Sequence, residues 1–206
     1  MRKRLPKVSK EHMDKQRNKI LDTALQIFIR KGFELTTMTD VIKASSLSRG
    51  GVYRYFSNTE EMIRAILDWD AEEATNYIDR LIAENKNTWE ALNRYIDEVE
   101  ENLDQAPKLG MLTAEYFISG WRNEQRKGYL QKRFARGKAS MLYLFETGVK
   151  RGDFKPLQPI ETIVIFLMNS CDGLFIEVQL TSKEEADAKG QLAAMRFYLE
   201  HILQIS

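Results

Sequence analysis

The sequence predicts an all-α protein with a small N-terminal domain and a larger helical body. Apolar residues recur at helical spacing in one segment after another, and alternating strand-like patterns are few. There are only four prolines and eleven glycines in 206 residues. A hydrophobic content of 43% beside 30% charged residues is typical of a soluble globular chain. We expect about nine helices in two domains, residues 1–57 and residues 58–206.

Start and stop signals separate these helices. In chain order, the predicted helices cover residues 11–31, 38–46, 49–55, 58–85, 87–105, 109–121, 127–151, 160–180 and 182–203. Gly32 ends the first helix and Pro107 ends the fifth, because these residue types terminate helices. Four capping-box patterns open other helices: Thr37 with Asp40, Ser57 with Glu60, Asn87 with Glu90, and Ser182 with Glu185.

Residues 36–56, TTMTDVIKASSLSRGGVYRYF, organise the N-terminal domain. They predict two short helices joined by a tight turn, with an inward face made by Val41, Ile42, Leu47, Val52 and Phe56. Ser48 can cap the second helix through its side-chain oxygen. A helix-turn-helix of this kind places the first turn of its second helix in the DNA major groove.

The outward side chains of this stretch suit contact with DNA. Arg49 can donate two hydrogen bonds to guanine O6 and N7. Gly50 and Gly51 each cost a helix about 1 kcal/mol relative to alanine. Their bare backbone would let the helix approach base edges or phosphates closely. Four hydroxyl groups can donate to phosphates, those of Thr37, Thr39, Tyr53 and Tyr55. Alternatively, the two glycines mark a loop and the two tyrosines belong to the core.

Positions on both sides of this stretch follow one recurrent pattern. They are Arg17, Ile20, Leu21, Ala24, Ile27, Phe28, Gly32, Phe33, Thr36 and Thr37 upstream, and Tyr53, Tyr55, Phe56, Ser57, Asn58, Thr59 and Glu60 downstream. In this order, over roughly residues 10–65, they resemble the DNA-binding domain of the TetR family of bacterial transcription regulators. The resemblance implies a three-helix DNA-binding domain, a larger C-terminal ligand and dimer domain, and repression relieved by a small molecule. The DNA-binding residues it implies are Thr37, Thr39, Ser48, Arg49, Gly50, Gly51, Tyr53, Tyr55 and Thr59.

Four positions depart from the family pattern. Ser45 and Ser46 stand where alanine and glycine usually enter the turn, and serine lacks the freedom of glycine at positive φ. Ile42 stands in place of a common alanine. Thr59 replaces a lysine that resembles a phosphate clamp, so it offers a hydroxyl donor without a charge.

The charge is distributed unevenly along the chain. Residues 1–56 hold 13 Lys and Arg against 5 Asp and Glu, whereas the other 150 residues hold 18 against 25. A basic end on an acidic body predicts that a polyanion is bound at that end. The basic arm, residues 2–10, would add non-specific phosphate affinity that falls with salt, unless it is only a solvated tail.

The sequence also predicts a cytoplasmic protein. Residues 2–10 lack the apolar run of a signal peptide, and the single Cys171 fits a reducing compartment. The apolar segment 160–180 contains Glu161, Asn169, Asp172 and Glu177, which favours a buried helix over a membrane span.

Aromatic and methionine side chains in the body predict a pocket for a largely apolar small molecule. By the resemblance, the pocket lies among body helices and is lined by Trp89, Met111, Tyr116, Phe117, Trp121, Met141, Phe145 and Met168. Asn169 and Asp172 are polar positions in an apolar helix, so they could orient a ligand. Alternatively, the aromatic residues are core, and Asn169 and Asp172 bond across a dimer.

The last two predicted helices carry more apolar surface than a small body can cover. By the resemblance, they pair with their copies to form a homodimer, which would bind a palindromic double-stranded operator.

We expect no enzyme, no metal and no cofactor. The two histidines, His12 and His201, have no partners at metal-ligand spacing, and no phosphate-binding glycine loop is present. A helical ligand carrier and a DNA-coating protein are the alternatives outside regulation. The intact Arg49 and basic end argue against the carrier, and the acidic body argues against the coating protein.

Overall fold

The computed structural model describes residues 10–103 and 107–205. Over these residues the chain consists of α-helices without a β-strand, so the all-α prediction is confirmed. The helices are α1 (Lys10–Lys31), α2 (Met38–Ser45), α3 (Arg49–Tyr53), α4 (Thr59–Glu84), α5 (Thr88–Asn102), α6 (Pro107–Gly120), α7 (Glu124–Arg151), α8 (Ile160–Leu180) and α9 (Ala188–Ile202). Most of the basic arm and the predicted end of the fifth helix, at residue 105, lie outside the described residues.

The chain divides into two compact units, the first ending at Trp69 and the second beginning at Asp70. The division lies within α4, farther along the chain than the predicted domain boundary at residue 57. The first turns of α4 belong to the first unit, where Met62, Ile63 and Leu67 are fully buried.

In the first unit, α1 supplies an apolar face and α2, α3 and the start of α4 supply the rest of the core. The buried apolar side chains are Ile20, Leu21, Ala24, Ile27, Phe28, Phe33, Val41, Val52, Phe56, Met62, Ile63, Ile66 and Leu67. Of the five residues predicted to point inward between residues 36 and 56, Val41, Val52 and Phe56 are buried, while Ile42 and Leu47 are half-buried.

In the second unit, α5, α7, α8 and α9 enclose one large apolar cluster that includes Leu92, Phe145, Leu167 and Leu199. Polar side chains fix the helices against one another. Arg196 of α9 donates to the Asp97 carboxylate at 2.7 Å and to Asn93 Oδ1 at 2.6 Å, both on α5. These paired bonds set the register between α5 and α9.

Two predicted helix caps were wrong. For α4, Asn58 Oδ1 accepts from the Glu61 backbone N–H at 2.8 Å, so Asn58 rather than Ser57 caps the helix. Ser57 contributes only its backbone N–H, which donates to the Glu61 carboxylate at 2.7 Å. The last helix begins at Ala188 and not near Ser182, because Ser182 Oγ caps only a separate turn that precedes the helix.

The start of α9 depends on Asp187 and Gly190. Asp187 adopts φ 45°, and its side chain accepts from the Gly190 N–H at 3.3 Å. A Cβ on residue 190 would lie 2.1 Å from an Asp187 carboxylate oxygen, so only glycine fits below this cap. The α3 prediction was also slightly long, since the helix ends at Tyr53 rather than Tyr55.

Candidate nucleic-acid interface and ligand pocket

The start of α2 is fixed by the predicted capping box. Thr37 Oγ1 accepts from the Asp40 N–H at 3.2 Å, and the Thr37 N–H donates to Asp40 Oδ2 at 2.9 Å. Lys31 Nζ lies 2.6 Å from the same carboxylate. Lys31 and then Thr37 hold the pKa of Asp40 well below its usual range. The Thr37 hydroxyl also donates to Asp40 at 2.7 Å, so its proton is already engaged, whereas Thr39 is exposed.

The turn between α2 and α3 accommodates both serines that depart from the family pattern. Ser46 adopts the left-handed conformation, with φ 57° and ψ 18°. Ser45 is buried, and its hydroxyl donates to the Ile42 carbonyl at 3.1 Å while accepting from the Leu47 N–H at 3.3 Å. The Ser45 hydroxyl therefore bonds two backbone groups of the turn, and the left-handed Ser46 makes the sharp bend.

Helix α3 is capped as predicted and presents three residues outward. Ser48 Oγ accepts from the Gly51 N–H at 3.1 Å. Arg49 and Gly50 are exposed, and the Arg49 guanidinium lies 5.4 Å from the ring centroid of Tyr53, which is 41% exposed. Because Val52 is fully buried, α3 keeps a fixed face toward the core.

The two glycines of α3 have different surroundings. A Cβ on Gly51 would lie 3.3 Å from Ser48 Oγ, so Gly51 leaves room for the helix cap. A Cβ on Gly50 would meet nothing within 4 Å, so nothing else in the first unit explains the absence of a side chain there. Gly50 thus leaves bare backbone exposed beside the contacting side chains of Arg49 and Tyr53.

The remaining predicted DNA-binding residues, Tyr55 and Thr59, are half-buried beside this surface. Sequence reasoning omitted Arg54, which follows α3 and is exposed. Its guanidinium lies 3.9 Å from Met13 Sδ, near the first turn of α1. The signal was present, because Arg54 is a basic residue directly after the predicted recognition helix.

The second unit contains a cavity of about 520 Å³. Its wall comes from the middle of α4, the end of α5, and the helices α6, α7 and α8. The lining residues are Asp70, Val99, Asn102, Leu103, Leu109, Gly110, Thr113, Ala114, Phe117, Ile118, Arg133, Cys171, Asp172, Phe175 and Ile176. Two of the predicted pocket residues, Phe117 and Asp172, are among them.

The other eight predicted pocket residues do not line this cavity. Tyr116, Met141 and Phe145 are buried core residues, Trp89, Met111 and Met168 are half-buried, and Trp121 and Asn169 are exposed. The physical reason is that helical spacing places an aromatic side chain on an inward face without showing whether that face meets another helix or a cavity. Asp70 and Arg133 were missed because they lie 63 positions apart in the sequence.

Charged groups lie at two places in the cavity wall. Arg133 donates to Asp70 at 2.6 Å. Burial raises the pKa of the Asp172 carboxyl above its ordinary value, even though part of the residue is exposed at the surface. Burial, with a contribution from Asp172, raises the pKa of the neighbouring Cys171 thiol to about 12, so this thiol stays protonated at neutral pH.

Helices α8 and α9 expose large apolar side chains on the second unit. Leu180 is 74% exposed, Phe197 is 63% exposed and Phe166 is 50% exposed. A Cβ on Gly173 would meet nothing within 4 Å, so the middle of α8 offers a small residue to any approaching helix. Among the described helices, α8 alone has the length and composition of a membrane span. This is weak evidence for a span, because the core helix of a soluble protein can have the same length and composition.

In the part of the chain that the structure describes, no group of three or more His, Cys, Asp or Glu side chains is placed to hold a metal ion. The two candidate sites, the outer surface of α3 and the cavity of the second unit, suit recognition. A capped helix with an outward arginine suits a DNA groove, and an apolar cavity suits a small molecule. This combination defines a helix-turn-helix DNA-binding regulator.

Comparisons with known proteins assign the family. Residues 20–66 match the model of the bacterial regulatory proteins of the tetR family, and residues 91–189 match the tetracyclin repressor-like C-terminal domain. The chain is 42% identical over 200 residues to the HTH-type transcriptional regulator YfiR of Bacillus subtilis (strain 168), covering 97% of both chains. The chain belongs to the TetR family of transcriptional regulators, which are DNA-binding proteins and not enzymes.

More distant relatives also match over most of the chain. The chain is 22% identical over 169 residues to the HTH-type transcriptional repressor KstR2 of Mycobacterium tuberculosis (strain H37Rv), covering 77% of this chain and 78% of the relative. In fold it is similar to Salmonella enterica GusR, with a TM-score of 0.79, 23% identity, and coverage of 96% and 98% of the two chains. A TetR transcriptional regulator from Chloroflexus aurantiacus has a TM-score of 0.78 at 17% identity, with 94% and 98% covered.

Proposed function

We propose that this regulator is a repressor that binds a palindromic DNA operator as a homodimer and is released by a largely apolar small molecule. Its place of action would be the cytoplasm, where the operator and a small effector are both accessible. The proposal combines three features: the outer surface of α3, the exposed apolar face of α8 and α9, and the cavity of the second unit.

The surface of α3 is the observation that carries the proposal. Arg49 and Tyr53 project from one side of a helix whose start is fixed by Ser48. Beside them, Gly50 leaves backbone exposed with no neighbour that requires a glycine. This arrangement allows an arginine to reach a guanine edge while the helix backbone lies close to the DNA. Thr39, Tyr55 and Thr59 would bind phosphates and thereby position α3 in the groove.

The dimer would form through α8 and α9. Phe166, Leu180 and Phe197 expose more large apolar surface than a solvated helix pair usually presents, and such patches mark interfaces. A two-fold pairing would use the same patch on both chains and would present two copies of α3 to DNA. The operator would then contain two inverted half-sites, one DNA turn or more apart.

Release would proceed through α4. This helix begins at Thr59 beside the DNA-binding residues, and it supplies Asp70 to the cavity wall. An effector in the cavity would change the direction of α4 and hence the spacing of the two α3 helices. The effector must bind the released conformation more tightly than the DNA-bound one, since the coupling is a difference between two affinities.

The decisive experiment selects bound sequences from a random pool of duplex DNA and then measures the affinity of the selected site by fluorescence anisotropy. We expect a palindrome. Arg49→Ala should weaken binding to it by about 1–3 kcal/mol while weak non-specific binding persists. Lys86→Ala is the matched control, because it removes one positive charge from an exposed position of the second unit.

Two results would contradict this function. If the selection enriches no sequence, the protein does not recognise a specific operator. An equal loss on every DNA sequence for Arg49→Ala would mean that Arg49 contacts phosphate and does not read a base.

A further inference from the structure

The charges in the described part of the cavity wall do not balance. The charged residues there are Asp70, Arg133 and Asp172. The Arg133 guanidinium and the Asp70 carboxylate lie 2.6 Å apart, so they largely neutralise each other. Among the side chains that the structure describes, those of residues 13–103 and 109–205, none forms a hydrogen bond or ion pair with Asp172. With Asp172 ionised, the described part of the wall carries a net charge of −1.

The surroundings of Asp172 are mainly apolar and aromatic. Phe117 of α6 and Phe175 of α8 line the same cavity, and Cys171 precedes Asp172 in the chain. Burial beside the cavity raises the pKa of the Asp172 carboxyl, although the residue as a whole is exposed to solvent. A positive charge placed beside it would favour the ionised form, and the two rings could contact the same ligand through their faces.

We propose that the pocket takes a largely apolar molecule bearing one positive charge, with its ammonium group against Asp172 and its apolar part against Phe117 and Phe175. This inference rests on the proposed effector role of the cavity and names the chemical class of the effector. An anionic ligand is disfavoured, because the one cation in the described wall, Arg133, is already paired with Asp70 and because Asp172 would repel the ligand.

Three pyrene derivatives of equal chain length test the charge preference. They are 1-pyrenebutylamine, a cation at neutral pH, 1-pyrenebutanol, which is neutral, and 1-pyrenebutyrate, an anion. Fluorescence anisotropy of each probe with the full chain gives its dissociation constant. We expect the amine to bind about tenfold more tightly than the alcohol, with the butyrate weakest.

Asp172→Asn assigns the preference to one carboxylate. The amide keeps the shape of the side chain, so the affinity for the alcohol should stay within about twofold, while that for the amine falls about tenfold. Glu146→Gln is the matched control, because it removes one negative charge from an exposed position on α7 outside the cavity wall. It should leave all three affinities unchanged. A thermal melt of each variant confirms that it is folded.

The outcomes separate this inference from the proposed function. Tightest binding by the butyrate, or unchanged amine affinity in Asp172→Asn, overturns the cationic ligand class. Release of the operator by any of the three probes would still support a ligand-released repressor in that case. Amine binding that depends on Asp172 but releases no operator supports the inference and contradicts ligand-controlled release. If none of the probes binds, both the ligand class and the effector role of this cavity fail.

Discussion

In the unit that ends at Trp69, short helices begin at polar residues whose side chains cap them, whereas the unit that begins at Asp70 is held together mainly by one shared apolar core. Thr37 and Ser48 each bond backbone N–H groups three positions away. In the second unit, Leu92 and Leu199 belong to one apolar cluster, although they come from α5 and from α9. Local bonds fix the surface of the first unit, and distant contacts fix the interior of the second.

The difference shows where function can be read from single residues. In the first unit, the cap fixes where α3 begins. The number of positions that separate a residue from Ser48 therefore tells whether its side chain points outward. In the second unit, an inward residue belongs either to the core or to the cavity wall, and only the packing of several helices decides between them. Substitutions in the two units test this contrast.

The largest expected effect is that of Phe145→Ala. Sequence reasoning assigned Phe145 to the ligand pocket, but its side chain is fully buried in the core of the second unit. Removing it should leave a cavity and lower the free energy of unfolding by about 3–5 kcal/mol. Urea denaturation followed by circular dichroism measures this loss.

Phe117→Ala is the matched comparison for Phe145→Ala. Phe117 lines the cavity and is only half-buried, so its removal should cost much less stability and should weaken binding of the pyrene probes. Equal destabilisation by the two substitutions would mean that the cavity wall is packed as tightly as the core.

Most of the helices could be predicted from the sequence, because their signals are local. Gly32, with φ 84°, ends α1, and the bounds of α8 agree with the prediction. The cavity could not be predicted, because it depends on pairs such as Asp70 and Arg133 that only the fold brings together. The capping residues of α4 and α9 were predicted wrongly. At α4, two adjacent polar residues could each cap the helix, and at α9 the cap is an aspartate in the left-handed conformation.

The start of α4 gives the next largest effect. Asn58→Ala should lower the free energy of unfolding by about 1 kcal/mol, since it removes the side-chain acceptor for the Glu61 N–H. Ser57→Ala should change it by less than about 0.5 kcal/mol, because Ser57 contributes its backbone N–H, which alanine keeps. Urea titrations of the two variants compare them directly. A larger loss for Ser57→Ala would restore Ser57 as the cap.

Gly50→Ala should change folding and DNA binding in opposite directions. A Cβ there meets open space, so the free energy of unfolding should rise by about 0.5–1 kcal/mol. Affinity for the selected operator should fall, because the added methyl group would stand between α3 and the DNA. Gly51→Ala is the comparison, since its Cβ lies 3.3 Å from Ser48 Oγ and should bring little or no gain in stability. Thermal melts measure the change in stability, and fluorescence anisotropy measures the affinity for the operator. Unchanged operator affinity in Gly50→Ala would show that the α3 backbone does not approach the DNA at this position.

The smallest expected effect concerns the turn that departs from the family pattern. Ser46 has φ 57°, and a left-handed conformation costs a residue with a Cβ roughly 1–2 kcal/mol. Ser46→Gly removes that cost but adds chain entropy to the unfolded state, worth roughly 0.5–1 kcal/mol. The free energy of unfolding should therefore rise by only about 0.5 kcal/mol.

Ser45→Gly should instead lower the free energy of unfolding, because the Ser45 hydroxyl bonds both Ile42 and Leu47. Urea denaturation of both variants measures the contrast. A gain from Ser45→Gly would mean that its hydroxyl bonds do not stabilise the turn.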